Sequence, residues 1–159
     1  MTAGLLIAAT LLHGFLAGGN VERALVHMPA WRKLGPRAWA AFSRQADLGR
    51  GLVLYPLEAI LGASLAVAAA IAFQFDPNAA RAAALPLYLG AALALAGLLA
   101  TTQAAPKMLS LRRLADDDLP GLQRAFDGFE RWGNLRAVFQ VLAFLANVWA
   151  LAVLAHALG

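Results

Sequence analysis

A chain of 159 residues that is 61% hydrophobic and 14% charged, with a mean hydropathy of +0.65, has the composition of a small integral membrane protein. Its length allows one domain, residues 1–159. The absence of cysteine excludes disulfides, thiolate catalysis and thiolate-held zinc or iron–sulfur centres. The net charge of +4 and pI near 10.3 could suit nucleic acid, but the basic residues flank apolar stretches, so anionic membrane lipid is the expected counter-charge and no nucleic acid is expected.

Four segments reach the length of about 20 mainly apolar residues that a membrane-crossing helix needs. The first, 3–19, reads "AGLLIAATLLHGFLAGG" and has His13 as its one ionisable side chain; without a positive n-region or a good cleavage site it reads as a retained span rather than a signal peptide. The loop after it contains "GPRAW", where Pro36 suits a helix start. Trp39, Phe42, Ala46 and Leu48 then form an approximate apolar stripe, and Arg44, Asp47 and Arg50 are spaced for i, i+3 ion pairs, a structural clasp at the entrance to span two. Span two, 51–75, carries Glu58. Span three, 82–105, has a small-residue stripe of Gly90, Ala94 and Gly97 for close helix packing. The second long loop, "DDDLPGLQRAFDGFERWGNLR", offers a helix start at Asp116 to Pro120 followed by Leu122, Phe126, Phe129 and Trp132 at helical spacing. Span four, 137–158, has His156 as its one ionisable residue. The expected fold is all-α: an integral membrane four-helix bundle with amphipathic cytoplasmic loop helices.

Twelve of the thirteen basic residues lie in the two long loops, against Arg81 alone in the short "DPNAARAAA" turn. The positive-inside rule therefore puts those loops in the cytoplasm and both termini outside, an arrangement suited to a bacterial inner membrane.

Glu58 lies six residues in from Leu52 and His13 six residues from Gly19, both about 9 Å from the cytoplasmic face at the α-helical rise. If their helices pack face to face the two can meet, as an ion pair or as a neutral hydrogen-bonded pair; alternatively the carboxylate reaches water through a cytoplasmic cavity. His13 could equally be satisfied by a neighbouring carbonyl. Asn20, Tyr55, Thr101, Thr102, Gln103 and Gln140 fall in the same half, and His13, Asn20 and His27 share a face if helix one continues through Gly18 and Gly19. Trp31, Trp39 and Trp132 suit interfacial anchors, or the lining of a ligand mouth. His13, His27 and Glu58 lack the local spacing of a metal site, no metal is expected, and no nucleotide or nucleophile motif occurs.

The stretches "ADLGRGLVLYPLEAILGA" and "FERWGNLRAVFQVLAF" resemble the anthrone-oxygenase-like family of small four-span membrane proteins. The resemblance covers most of the chain in span order. It implies oxidation of an aromatic anthrone to a quinone without a bound cofactor, and it places Trp132, Asn134 and Arg136 at the mouth of the site.

Residues and resemblance together predict an apolar aromatic substrate, anthrone or hydroquinone-like, with Glu58 or His13 as catalytic base. Asn20, His27, Tyr55, Gln103, Gln140, Trp132, Asn134 and Arg136 would be substrate-binding. The competing expectations are a non-enzymatic lipid or quinone binder, an accessory subunit of another membrane protein, or a proton-coupled transporter that would need a dimer; a homo-oligomer is left open.

Overall fold

The computed structural model describes residues 1–77 and 80–156. Within them every regular element is helical. Helix α1 runs Thr2–Glu22 and passes through a widened, π-type turn, Arg23–His27, into α2, Met28–Leu34. After Gly35, whose φ of 94° only glycine adopts readily, come α3, Pro36–Gln45, a second widened turn, Ala46–Arg50, and α4, Gly51–Gln74. A short turn at Arg81–Ala83 leads into α5, Ala84–Ser110, and the chain ends in α6, Leu119–His156.

Four helical stretches are long and apolar enough to cross a membrane: Thr2–Leu34, Pro36–Gln74, Arg81–Ser110 and Leu119–His156. The expected spans are therefore all helical, but two boundaries change. Helix one does not stop at Gly19, and the segment expected as a separate loop helix around Trp132 is the first half of one unbroken 38-residue helix with span four. Asp118 starts that helix: its carboxylate accepts the Gly121 N–H, and Pro120 sits in the first turn, where its missing donor costs nothing. The C-terminal limit expected at Leu158, and part of the 76–84 turn, lie outside the described residues.

Around the bundle, α1 and α4, α4 and α5, α5 and α6, and α6 and α1 are neighbours, with α5 against α6 the most extensive contact. The small-residue stripe on α5 explains that closeness. A side chain at Gly90 would run into the Asn147 amide oxygen, and one at Gly97 would come within 3.3 Å of the Gln140 stem. The core is divided in two. Toward the termini, Leu6, Ala9, Ala66, Ala69, Phe73, Ala83 and Leu87 form a mainly aliphatic plug; at the end carrying the long basic connections, Met28, Trp39, Met108, Leu122, Phe126 and Phe129 form a second, aromatic core. Trp39 is its centre, meeting Phe126 edge-on at 5.3 Å and Phe129 at 5.8 Å. The stripe expected on α3 is rotated from its forecast: Trp39, Ala40 and Ser43 are buried, whereas Phe42 is half-exposed and stacks on Trp31 at 4.9 Å.

Candidate functional site

Prolines and widened turns loosen the bundle at one level. Pro29 cannot donate to the carbonyl of Leu25 and its ring crowds that carbonyl, which accounts for the widened turn just before α2. Gly49, with φ −86° and ψ −120°, breaks the entry to α4, while Pro56 within α4 and Pro106 within α5 each remove a further ladder donor. Between these points lies a cavity of about 260 Å³. Its apolar walls come from Phe15, Leu16, Leu52, Met108, Leu109 and Phe129. Phe15, Leu52 and Leu109 are also exposed on the outside of the bundle, so the cavity has an apolar rim.

The polar lining forms two connected groups. In one, Arg23 donates to Asp47 at 2.6 Å and to the Tyr55 hydroxyl at 3.3 Å, with its guanidinium over the rings of Tyr55 and Phe129 at 5.2 and 5.6 Å. In the other, the Asn20 amide nitrogen donates to the Gln140 side-chain oxygen at 2.6 Å and to the Leu16 carbonyl at 2.7 Å, and the Asn20 oxygen accepts from Arg136 Nε at 3.0 Å. Glu58, half-buried, lines the same cavity and has no hydrogen-bond or ion-pair partner among the described residues.

The expected pairing of His13 with Glu58 is not formed. His13, 1% exposed, meets the Asn147 amide nitrogen through its Nδ1 at 2.9 Å, and its Nε2 would lie 3.4 Å from a side chain placed at Gly62. It is absent from the cavity wall. Counting depth from Gly19 caused the difference: because α1 continues through both glycines, His13 stands opposite Gly62, one helical turn beyond Glu58. Of the three arrangements open to Glu58, the one observed is a carboxylate facing a cavity.

The expected clasp of Arg44, Asp47 and Arg50 is replaced as well. The widened turn at Ala46–Arg50 spoils the i, i+3 phase; Asp47 turns to Arg23, Arg44 pairs with Asp116 and donates to the carbonyls of Leu111 and Leu114, and Arg50 is exposed without a partner among the described residues.

Tyr55, Asn20, Gln140, Arg136 and His27 do line the cavity, His27 at its exposed edge 3.7 Å from Glu22. Gln103 is exposed and outside it. Trp132 packs on the aromatic core, and Asn134 borders a separate crevice of about 10 Å³ beside Asn20, Arg23 and Glu130. Two residues escaped the sequence reading of the site. Arg23 counts there only among the loop charges, and Asn147 has no role there. The signal for Asn147 is the step of seven: His13 and Asn20 on α1 repeat the spacing of Asn147 and Gln140 on α6, of Gly62 and Tyr55 on α4, and of Gly90 and Gly97 on α5, a pattern that does not include Arg23. The bundle thus has two polar layers, a closed one at His13–Asn147 and an open one at Asn20–Gln140.

Among the described residues no three His, Asp or Glu side chains gather as a metal-ligand set. No protein-family model, curated protein or solved structure matches the chain.

Proposed function

We propose that this chain is a membrane oxygenase that binds a flat, apolar aromatic molecule of the anthrone or hydroquinone class in the cavity and hands its electrons to dissolved oxygen without a bound cofactor. The observation that carries the reading is the unpartnered carboxylate of Glu58 in an apolar-walled chamber whose far wall, on α6, presents Arg136 and Gln140. The resemblance of the Ala46–Ala63 and Phe129–Phe144 stretches to anthrone oxygenases supports the same chemistry. The basic end faces the cytoplasm and the termini lie on the other side, as the asymmetry of lysine and arginine supports.

Glu58 takes a proton from the activated ring carbon, and the C–H electron pair becomes a delocalised carbanion whose charge lies largely on the ring oxygen. One electron passes to oxygen, giving a carbon radical and superoxide. Their union forms a C–O bond, and the proton returns from Glu58 to the peroxide. Loss of water from the hydroperoxide leaves the carbonyl: one anthrone and one oxygen molecule become one quinone and one water. A hydroquinone would instead yield a quinone and hydrogen peroxide. His13, committed to Asn147, holds the bundle together and takes no proton.

Protein in lipid nanodiscs should consume oxygen with a hydroxyanthrone at one quinone per oxygen. Glu58→Gln should slow this by about 100-fold or more, the scale of a general base, while leaving ligand affinity and thermal stability near those of the parent. The exposed apolar rim at Phe15, Leu52 and Leu109 favours a second reading, a non-enzymatic quinone or lipid binder filled from the side. Tight binding with no oxygen uptake selects it; no binding by any member of an anthrone and hydroquinone panel removes both.

A further inference from the structure

The Asn20 network has one consistent hydrogen-bond sense. Arginine has donors and no acceptor, so the Asn20 atom facing Arg136 Nε must be its oxygen, which fixes the Asn20 amide nitrogen on Leu16 and Gln140. The Gln140 atom that receives that nitrogen's hydrogen must in turn be its oxygen. Both hydrogens of the Gln140 amide nitrogen are thereby left over, and that nitrogen has no partner among the described residues although Gln140 is only 4% exposed. Arg136 is in the same position. Its Nε is held by a neutral amide, its two Nη groups have no partner among the described residues, and no carboxylate pairs with it. A guanidinium inside an apolar bundle without a counter-ion is costly, and the nearby Asp47 is already taken by Arg23.

We infer that Asn20 organises Arg136 and Gln140 into a two-donor receptor for an anionic ring oxygen, so that the ligand is an aromatic phenolate or enolate seated with that oxygen toward α6. The inference rests on the proposed aromatic ligand but not on its oxidation. Asn20 is a positioning residue: all of its own hydrogen-bonding capacity facing α6 is used to aim two neighbours. The other ionisable groups lining the chamber are Glu22, Arg23, His27, Asp47, Tyr55 and Glu58. Arg23 and Asp47 neutralise each other, which leaves Arg136 as the cation available to the ligand and Glu58 as the carboxylate on the α4 side. A planar molecule spanning from Glu58 to Arg136 would present its acidic hydrogen to one and its oxygen to the other.

Alizarin, a fully oxidised hydroxyanthraquinone whose colour reports its ionisation, tests this without turnover, with anthraquinone as the neutral control. Bound to the parent in nanodiscs, alizarin should ionise at least one pH unit lower than in empty nanodiscs and bind at least tenfold more tightly than anthraquinone at pH 8. Asn20→Asp supplies Arg136 with a carboxylate and turns both donors back on itself, so the ionisation shift and the preference should be lost while anthraquinone still binds. Arg136→Lys keeps the charge and should keep part of the shift; Arg136→Gln should lose it. Equal binding of the two probes by the parent, an unshifted ionisation, or a shift unchanged in Asn20→Asp would each overturn the inference. Retained anion preference without oxygen uptake from anthrones strikes only the oxygenase reading, and oxygen uptake without anion preference strikes only this one.

Discussion

At the scale of single residues, the polar side chains inside the bundle divide by whether the protein itself answers them. His13 and Asn147, both 1% exposed, answer each other; Glu58 and Arg136 look into a chamber. The pair should therefore be structural. His13→Ala and Asn147→Ala should each lower the unfolding midpoint in detergent, and the double substitution should lose less than the sum, with a coupling of about 0.6 kcal/mol, as for hydrogen bonds within membranes. Both variants should keep Glu58-dependent oxygen uptake. Additive losses would mean that the two side chains are not coupled, and loss of uptake with His13→Ala in a folded protein would return His13 to the catalytic role. The sequence made Glu58 legible because a carboxylate within an apolar run has few innocent explanations. It hid the partner of His13 because depth counted from a presumed helix end is wrong by as many residues as the helix continues.

At the scale of helices, the spans were readable from hydrophobic length and the start of α6 from its acids and Pro120, signals that are local. The junctions were not, since whether a helix stops at Gly18 and Gly19 or runs on is decided by packing beyond them. The widened turn at Ala46–Arg50 was equally invisible, and with it the redirection of Asp47 from Arg44 and Arg50 to Arg23. The glycines now separate into two kinds. Gly90→Ala should cost about 1–3 kcal/mol, because the new methyl meets an Asn147 oxygen whose amide is held by His13 and cannot swing away freely. Gly18→Ala meets nothing within 4 Å and should stabilise the helix by about 0.5–1 kcal/mol. Thermal midpoints of the two variants in the same detergent decide it; equal shifts would mean that α5 and α6 are not in this close contact.

For the whole molecule, the aliphatic plug closes the terminal end of the bundle while the chamber lies toward the basic connections, so in the proposed orientation ligand and protons come from the cytoplasmic side or from the lipid flank at Phe15. The chain has no cysteine to interfere with labelling. Cysteines introduced for Lys33 and Asp117 should resist an impermeant maleimide in intact cells and react after permeabilisation, whereas one introduced for Pro77 should react at once. The reverse pattern would invert the protein and move the chamber to the other side of the membrane. Charge asymmetry alone carries this orientation, and it is legible in sequence because it depends on counting, not on packing.

The widened turn at Arg23–His27 holds one residue more than a regular helical turn, and that surplus acts as a phase adaptor. Upstream of it, one continuous rod is locked to α6 through His13 and Asn20; downstream, Met28 is buried in the aromatic core and Trp31 lies against Phe42. The Met28 N–H reaches the Arg23 carbonyl five residues back, so the turn takes up its extra residue locally and Met28 keeps the phase that a regular helix one residue shorter would give it. Removing one residue there would let the turn revert to regular helical bonding and leave Met28 and Trp31 in register with His13 and Asn20, whereas the same deletion within regular α1 would turn everything after it by about 100°. Shortening by one residue is thus least tolerable in the regular apolar spans and most tolerable in this short joint, where the turn absorbs the change and keeps two separately packed halves in step.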